Sequence, residues 1–415
     1  MLKVPILCLS LTVMALSASG SAHAQYSPTE NAALERCLLN VAETSNFHGA
    51  AVIGNHEKIV VSFAIDREDR KTGTIDTNTR FNVGSMYKMV TAVAIGQLVD
   101  RGHISFSDPI SKYLQQAPAE FGKITIEQLL SHTGGTGDYL KFQNRKTIEH
   151  HTTVAELLPL VYENMPTEIG AFNYSNSGYV LLAAIIENVS GDSYESYTQK
   201  NILDPAGMKD TGLLHDENTA LNYTRMSMEP KSGGSAGSPQ SELKLSPFRV
   251  PRGMPAGGGY STVTDLYRFA QALQNHQLLK AETLKTMTSG KIQMREGLKG
   301  PIEYGFGFIL RENGASFGHG GGGPGINGEL RIRNDGKWII ATLTNIDPPL
   351  ASITNSAFEA ALTDPLADQY CFKVGILKVG ASADIIGVNG NPLADVSLLE
   401  DVDFVMKAGV VYKNN

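Results

Sequence analysis

Phe81-Asn82-Val83-Gly84-Ser85-Met86-Tyr87-Lys88 is the stretch on which the reading of this chain turns. The run that follows, Met89 to Val99, carries Val90, Val93, Ala94, Gln97 and Leu98 at helical spacing. That spacing predicts a helix with Ser85 in its first turn and Lys88 one turn later on the same face. A serine hydroxyl is a poor nucleophile at neutral pH, and a neighbouring amine takes its proton only if burial or charge lowers the amine pKa from about 10.4. An apolar helix supplies the burial. Taken alone the pattern is weak, because a chain of this length holds about one or two Ser-x-x-Lys matches by chance. Ser241 to Lys244 is a second copy, in a Gly-, Ser- and Pro-rich stretch (232–251) that reads as loop and would hold neither side chain in place. The plain alternative for Ser85 is an ordinary N-terminal helix serine, so other segments must decide.

Ahead of this stretch, residues 1–24 carry Lys3, an apolar run from Val4 to Leu16, and Ala22-His23-Ala24. This is the pattern of a secretory signal peptide cut after Ala24, too short to span a membrane as a mature helix. Cys8 lacks the small-residue context of a lipidated cysteine. The expected product is secreted across the inner membrane, to the periplasm or outside the cell, with no stable membrane anchor. Removing the segment deletes one lysine and no acid, taking the formal charge from -7 to -8. Such acidity argues against nucleic-acid or anionic-membrane partners. The mature chain keeps Cys37 and Cys371, whose spacing leaves their pairing open. There are ten histidines but no His-x-His, His-Glu-x-x-His or Cys-x-x-Cys, so neither a metal nor another cofactor is expected.

Working onward, Ser27-Pro28-Thr29-Glu30 reads as a capping box before an amphipathic helix bearing Leu34, Cys37, Leu38 and Val41. Residues 50–54 and 58–64 read as a hairpin. The Ser85 helix should end near Arg101-Gly102. Ile124 to Leu130 leads into Ser131-His132-Thr133-Gly134-Gly135-Thr136-Gly137-Asp138-Tyr139, a turn-forming segment in which His132 either acts as a base or orders its own loop. Gly170 to Tyr179 places Tyr174-Ser175-Asn176 on a loop before an apolar helix, Val180 to Val189; loops so held commonly carry function. Tyr162 to Asn164 and Tyr412 to Asn414 repeat the Tyr-x-Asn spacing without that setting. Ala256-Gly257-Gly258-Gly259 precedes a helix from Val263 to Leu273 and suits the rim of a cleft. Tyr304 to Leu310, Glu329 to Arg333 and Lys337 to Thr344 read as antiparallel strands, the last two joined by a tight turn at Asn334-Asp335-Gly336. Phe317 to Gly325 lies between them as a glycine-rich segment, without the Gly-Lys-Ser/Thr ending of a phosphate loop.

With Ser85-x-x-Lys88, Tyr174-x-Asn176 and His319-Gly320-Gly321 in that order, the chain resembles the serine β-lactamase and penicillin-binding-protein family. Its nearest look is the class C β-lactamase-like branch, which also holds esterases, D-amino-acid peptidases and DD-carboxypeptidases. The resemblance runs from Leu34 to Leu362. It implies an α/β (α+β) β-lactamase-like fold, an antiparallel sheet flanked by helices plus an all-helical lobe, with the site between them. It also implies roles: Ser85 as acylated nucleophile, Lys88 as the group that helps deprotonate it, and Tyr174 as partner base and later acid. Asn176 would bond substrate and Lys88, and His319, Gly320 and Gly321 would line the substrate site. Backbone N–H groups of Ser85 and Gly322 would form the oxyanion hole. The third motif is usually Lys-Thr-Gly or Lys-Ser-Gly on an edge strand. His319 departs from it, lacking a permanent cation, and puts penicillin hydrolysis in doubt.

Residues 371–415 resemble the C-terminal β-strands of metal-dependent amidohydrolases instead. The expected organisation is therefore a signal peptide (1–24), a hydrolase domain (25–362), a linker (363–370) and an appended strand module (371–415). The activity expected is that of a secreted serine hydrolase cleaving a small-molecule ester or a peptide amide through an acyl-enzyme on Ser85. A non-catalytic binding or scaffold protein of the same fold is the first alternative, and a metal-dependent amidohydrolase, resting on the tail alone, the second. Oligomeric state is open.

Overall fold

Strand-forming segments from both ends of the main body converge on one sheet. The computed structural model describes residues 22–26, 32–67, 73–140, 152–213, 218–225, 242–246, 254–297, 299–363, 385–387, 404–407 and 410–414. Among them, nine strands form a single antiparallel sheet in the order Ala22–Tyr26, Ile59–Arg67, Gly49–Gly54, Ile339–Thr344, Ile326–Arg333, Ser316–Gly323, Ile309–Arg311, Ile302–Tyr304 and Ile292–Arg295. The expected hairpin of 50–64 and the turn at Asn334-Asp335-Gly336 are both present. Residues 1–21, most of the expected signal peptide, and the capping box at 27–30 lie outside the described residues. Ala22 to Ala24, assigned above to the signal peptide, pair with Ile65 to Arg67 as part of the edge strand.

Strand alternation divides the sheet into two faces. Ala51, Ile53, Phe63, Ile65 and Ile340 pack with Cys37, Leu38 and Phe358 beneath the first and last helices of the main body, Ala32–Thr44 and Leu350–Thr363. Cys37 is buried there and disulfide-bonded, its partner lying outside the described residues. On the opposite face, Ala50, Val52, Leu330, Ala341 and Leu343 join the core of the helical lobe. At the centre of that lobe runs Lys88–Asp100, buried from Lys88 to Leu98. This explains why Met89 to Val99 is apolar nearly all round. Its buried polar side chains reach out to main-chain acceptors: Thr91 Oγ1 donates to the Pro255 carbonyl at 2.7 Å, and Gln97 Nε2 donates to Asn201 and Leu278 carbonyls at 2.9 and 3.1 Å. The fold class expected from the sequence is thus observed.

Two segments differ from their sequence reading. Tyr304 to Leu310 is not one strand: it reverses between Ile302–Tyr304 and Ile309–Arg311, with Gly305 N–H donating to the Phe308 carbonyl at 2.8 Å. Gly307 in this turn has φ +84°, and a Cβ there would lie 2.2 Å from Ala92 Cβ. Close approach to the central helix, more than local propensity, dictates the turn. The glycine run is the converse case. Ser316–Gly323 is a full strand, paired with Ile326–Arg333 from Ser316↔Arg333 to Gly323↔Ile326. It is interior to the sheet, with Ile309–Arg311 pairing only residues 316–318 on its other side. Residues 319–323 therefore form a local edge that packs against the turn Gly84–Tyr87. Ile385–Gly387, Phe404–Lys407 and Val410–Asn414 form a separate three-stranded antiparallel sheet, as the strand pattern of the tail suggested.

The contact between the glycine strand and the Ser85 turn leaves no room for side chains. A Cβ on Gly321 would stand 2.0 Å from the Val83 carbonyl oxygen, whereas one on Gly323 would make ordinary contact with the Ile326 side chain, Cδ1 at 3.6 Å and Cβ at 3.8 Å. Gly321→Ala should lower stability by about 1–3 kcal/mol, the range for overpacking. Gly323→Ala should stay within about 0.5 kcal/mol of the parent. Urea unfolding of the two variants beside the parent checks this.

Candidate active site

Ser85 is set by a strand, a turn and a helix in succession. Phe81–Asn82 pairs with Tyr260–Ser261, then Asn82 Oδ1 accepts from Gly84 N–H at 2.9 Å and the chain enters the 3-10 turn Gly84–Tyr87. Gly84 has φ +51°, the left-handed region that glycine enters without strain, and a Cβ there would lie 3.2 Å from Gly322 N. The backbone of Gly257 approaches from a third side, its Cβ position 3.4 Å from Ser85 N. Ser85 thus sits where the turn, the glycine strand and the Ala256–Gly259 segment meet.

Lys88, one turn on, is fully buried. Its Nζ donates to Ser85 Oγ at 3.2 Å, Asn176 Oδ1 at 2.7 Å and the Ala256 carbonyl at 2.6 Å. Nζ also lies 4.8 Å from the Tyr174 ring centroid and 5.4 Å from that of Tyr179. Loss of solvation brings the Lys88 pKa down to about 7, with the Asp138 carboxylate opposing the shift. Free amine is therefore available near neutrality.

Asn176 is the first residue of a helix, Asn176–Ser190, capped by Ser175. That helix begins four residues earlier than the apolar pattern suggests. Tyr174, just before the cap, hydrogen-bonds Ser85; burial holds its phenol well above the usual range, the Ser85 bond opposing and the Asp138 charge reinforcing that shift. Tyr174 is a neutral phenol at pH 7. Its ring stacks on His132, centroids 4.2 Å apart. His132 has φ +60°, is 1% exposed, and accepts the Ser175 N–H on Nδ1 at 3.1 Å, while desolvation first, then Lys88 and His319, keep it neutral. Of the two roles open to His132 in the sequence, this geometry supports ordering of the loop and of Tyr174.

His319 lies beneath the cleft. Its Nδ1 is 2.6 Å from the Gly320 carbonyl, which can only accept, so Nδ1 carries the proton and Nε2 accepts from Tyr304 O–H at 2.8 Å. Burial, with Lys88 nearby, lowers its pKa to about 3. The ring is neutral, 2% exposed and occupied at both nitrogens. Gly320 faces the opposite way, its Cβ position 2.8 Å from Glu329 Oε2. Gly322, expected to supply an oxyanion-hole N–H, lines the cleft; His319, Gly320 and Gly321, expected to line the substrate site, are not among its lining residues, and Gly321 packs on Val83.

The cleft has a volume of about 190 Å³ and is lined by Gly84, Ser85, Asp138, Leu140, Asn176, Met254, Ala256, Gly257, Gly322, Gly323, Pro324 and Ile326. A larger cavity of about 530 Å³, bordered by His56, His276 and Asn334, shares no lining residue with it. Sequence reasoning missed Asp138 as a site residue. Its oxygens accept from Asn176 Nδ2 at 3.3 and 3.1 Å, completing a chain from Asp138 through Asn176 and Lys88 to Ser85. Ser175 and Ser177 pin the Asp138 loop: Ser175 Oγ donates to the Gly137 carbonyl at 2.7 Å, and Ser177 Oγ accepts from Tyr139 N–H at 2.9 Å. The competing Ser-x-x-Lys is not such a site: Lys244 is exposed on a short strand, and Ser241 lies outside the described residues.

A family model described as β-lactamase matches residues 34–363. The chain belongs to the β-lactamase family. Within this family it is similar to a penicillin-binding protein of Bacillus subtilis, 31% identical over 75% of this chain and 71% of that protein. It is also similar to a teichoic acid D-alanine hydrolase of Staphylococcus aureus, 26% identical over 66% of this chain and 67% of that protein. Among solved structures, the penicillin binding protein of Bacillus halodurans superposes with a TM-score of 0.65 at 27% identity, covering 78% of this chain and 98% of the other. Family membership makes the chain a serine hydrolase. It leaves the amidohydrolase alternative only the tail, beyond the matched residues. No helix among the described residues is long and apolar enough to cross a membrane.

The Asp138 charge supports the protonated form of Lys88. Asp138→Asn should therefore move the rising limb of the pH–kcat/KM profile to lower pH, measured with p-nitrophenyl acetate between pH 5 and 10. A limb moving to higher pH would contradict the assigned coupling.

Proposed function

We propose that this protein is a secreted serine hydrolase that cleaves small esters or peptide amides, including those of D-residues, through an acyl-enzyme on Ser85. The observation that carries the reading is Lys88 Nζ, buried, 3.2 Å from Ser85 Oγ and with its pKa brought down to about 7. Neutral Lys88 accepts the Ser85 proton as Oγ attacks the substrate carbonyl carbon and the carbonyl electron pair moves to oxygen. Backbone N–H groups of Ser85 and Gly322 stabilise that oxyanion. As the pair returns, the bond to the leaving group breaks, and Tyr174, resupplied from Lys88, protonates the leaving oxygen or nitrogen. Water then enters by the same proton path, releasing the acid and restoring Ser85. Tyr174 serves as a relay rather than as the resting base, since burial disfavours its phenolate. The inclusion of D-residue substrates draws on the likeness to a teichoic acid D-alanine hydrolase. The tail, 371–415, is read as a separate structural module, since every residue in this scheme precedes Leu362.

His319 bears on substrate choice. A neutral, buried imidazole gives no fixed anchor for the carboxylate that β-lactams and DD-peptides carry, so uncharged acyl esters should be handled better than penicillins.

Ser85→Ala should abolish turnover of p-nitrophenyl acetate and labelling by a fluorophosphonate while the protein stays folded by circular dichroism. Retained turnover would place the nucleophile elsewhere. The ratio of kcat/KM for p-nitrophenyl butyrate to that for nitrocefin should favour the ester in the parent and shift toward nitrocefin in His319→Lys. A parent preferring nitrocefin, or a ratio untouched by the substitution, would refute the argument from charge.

A further inference from the structure

The cleft beside Ser85 has a one-sided electrostatic character. Among the described residues that line it, Asp138 is the only charged side chain; the rest of the wall is glycine, Ala256, Asn176, Ser85 and the apolar Leu140, Met254, Pro324 and Ile326. The cation closest to the chemistry, Lys88, is fully buried behind Ser85, and its three donors are already directed at protein acceptors. His319 is buried and occupied on both nitrogens. A substrate entering this cleft therefore meets a carboxylate and no exposed cation among these residues.

Asp138 also retains capacity to bind. An ionised carboxylate offers about four lone-pair sites. Asn176 Nδ2 lies across both oxygens at 3.3 and 3.1 Å, and Leu140 N–H takes Oδ1 at 3.0 Å, so Oδ2 is the less engaged oxygen. Asn176 connects the carboxylate to the Lys88 amine at 2.7 Å, which places it one side chain away from the Ser85–Lys88 pair. In an aminoacyl ester the α-amine is one carbon from the carbonyl that Ser85 attacks. The cleft volume of about 190 Å³ falls below the ~300–1,000 Å³ typical of sites for drug-sized ligands, and suits a single small acyl group.

We propose that Asp138 binds a protonated α-amine, and that the substrates of this enzyme are esters or amides of small amino acids whose amine is free. This rests on the assignment of Ser85 as nucleophile and narrows the substrate class of that same site. The role of Asp138 in orienting Asn176 continues alongside: the carboxylate holds the amide on one side and the ammonium on the other.

The test compares methyl esters of alanine, each enantiomer, with methyl lactate of matching configuration at pH 7 in a pH-stat, where the hydroxyl replaces the ammonium at nearly constant shape. An ammonium group also makes its ester intrinsically more electrophilic, so the decisive quantity is the change in the ratio between parent and Asp138→Asn. A charge-assisted hydrogen bond supports a loss of about ten- to one-hundred-fold in the alanine-to-lactate ratio of kcat/KM for at least one enantiomer. Equal losses for both esters in Asp138→Asn would reduce Asp138 to a positioning residue for Asn176 and overturn the proposal. A measurement on the parent keeps the question open to refutation if the variant does not fold: raising ionic strength from 0.05 to 0.5 M (~14 to ~4 Å screening length) should lower kcat/KM for the alanine ester and leave the lactate ester unaffected. Salt-independence of the alanine ester would likewise overturn it. If Ser85→Ala retains hydrolysis of both esters, the nucleophile assignment fails instead, a distinct outcome.

Discussion

An amine removed from water and held by three protein acceptors is the constraint around which this molecule is arranged. Moving Lys88 from an ordinary lysine pKa to about 7 corresponds to roughly 5 kcal/mol of disfavoured protonation. That penalty persists only because the surroundings are fixed by the whole fold. The central helix is buried along eleven residues from Lys88 to Leu98. Asn176 comes from the start of a second buried helix and Ala256 from a loop 168 residues away in sequence. Each acceptor satisfies part of the ammonium without supplying full negative charge. Asp138, the carboxylate that lines the cleft, acts on Lys88 by its charge with Asn176 bridging between them, and so moderates the shift without forming an ion pair that would hold the proton in place.

The same arrangement explains the glycines. Lys88 can be buried beside Ser85 only if the Gly84–Tyr87 turn is clamped between the sheet and the Ala256–Gly259 segment. Gly321 touches Val83, Gly84 reaches Gly322, and Gly257 covers the Gly84–Ser85 peptide. These are backbone-to-backbone contacts, for which any side chain is too large. Opposite them, His132 and Tyr304 give Tyr174 an aromatic bed, with centroids 4.2 and 6.4 Å away. Neutral His132 and His319 complete a site in which Lys88 is the group poised to change charge near pH 7.

Much of this was legible in the chain. Helical spacing put Ser85 and Lys88 on one face and an apolar helix marked out the Tyr174-Ser175-Asn176 loop, while the roles expected of these residues came from the resemblance to the serine β-lactamase and penicillin-binding-protein family. The hairpins followed from alternation and turn residues. What could not be read has physical causes. The Ala256 acceptor is a main-chain carbonyl, which residue type does not reveal. Asp138 meets Asn176 across 38 residues, so its role depends on how two loops pack, although the Gly-rich turn before it was visible. Phe317 to Gly325 reads only as a glycine-rich segment because glycine has low strand propensity and carries no face pattern; its pairing is imposed by Ile326–Arg333 and by the need for a close approach to Val83. His319 was expected among substrate contacts from its place in a motif, but Tyr304, brought beside it by a turn hidden in an apparently continuous strand, occupies Nε2.

The protonation state of Lys88 in the resting enzyme decides how Ser85 is activated. Reductive labelling is unsuited to a buried amine, so the direct measurement is a carbon-13 NMR titration of the Cε resonance in protein grown on labelled lysine, assigned by its loss in Lys88→Met. The expected Lys88 midpoint is near 7, well apart from the surface lysines. A midpoint among those lysines, near 10, would mean that the amine stays charged at neutral pH and that Ser85 is activated in some other way.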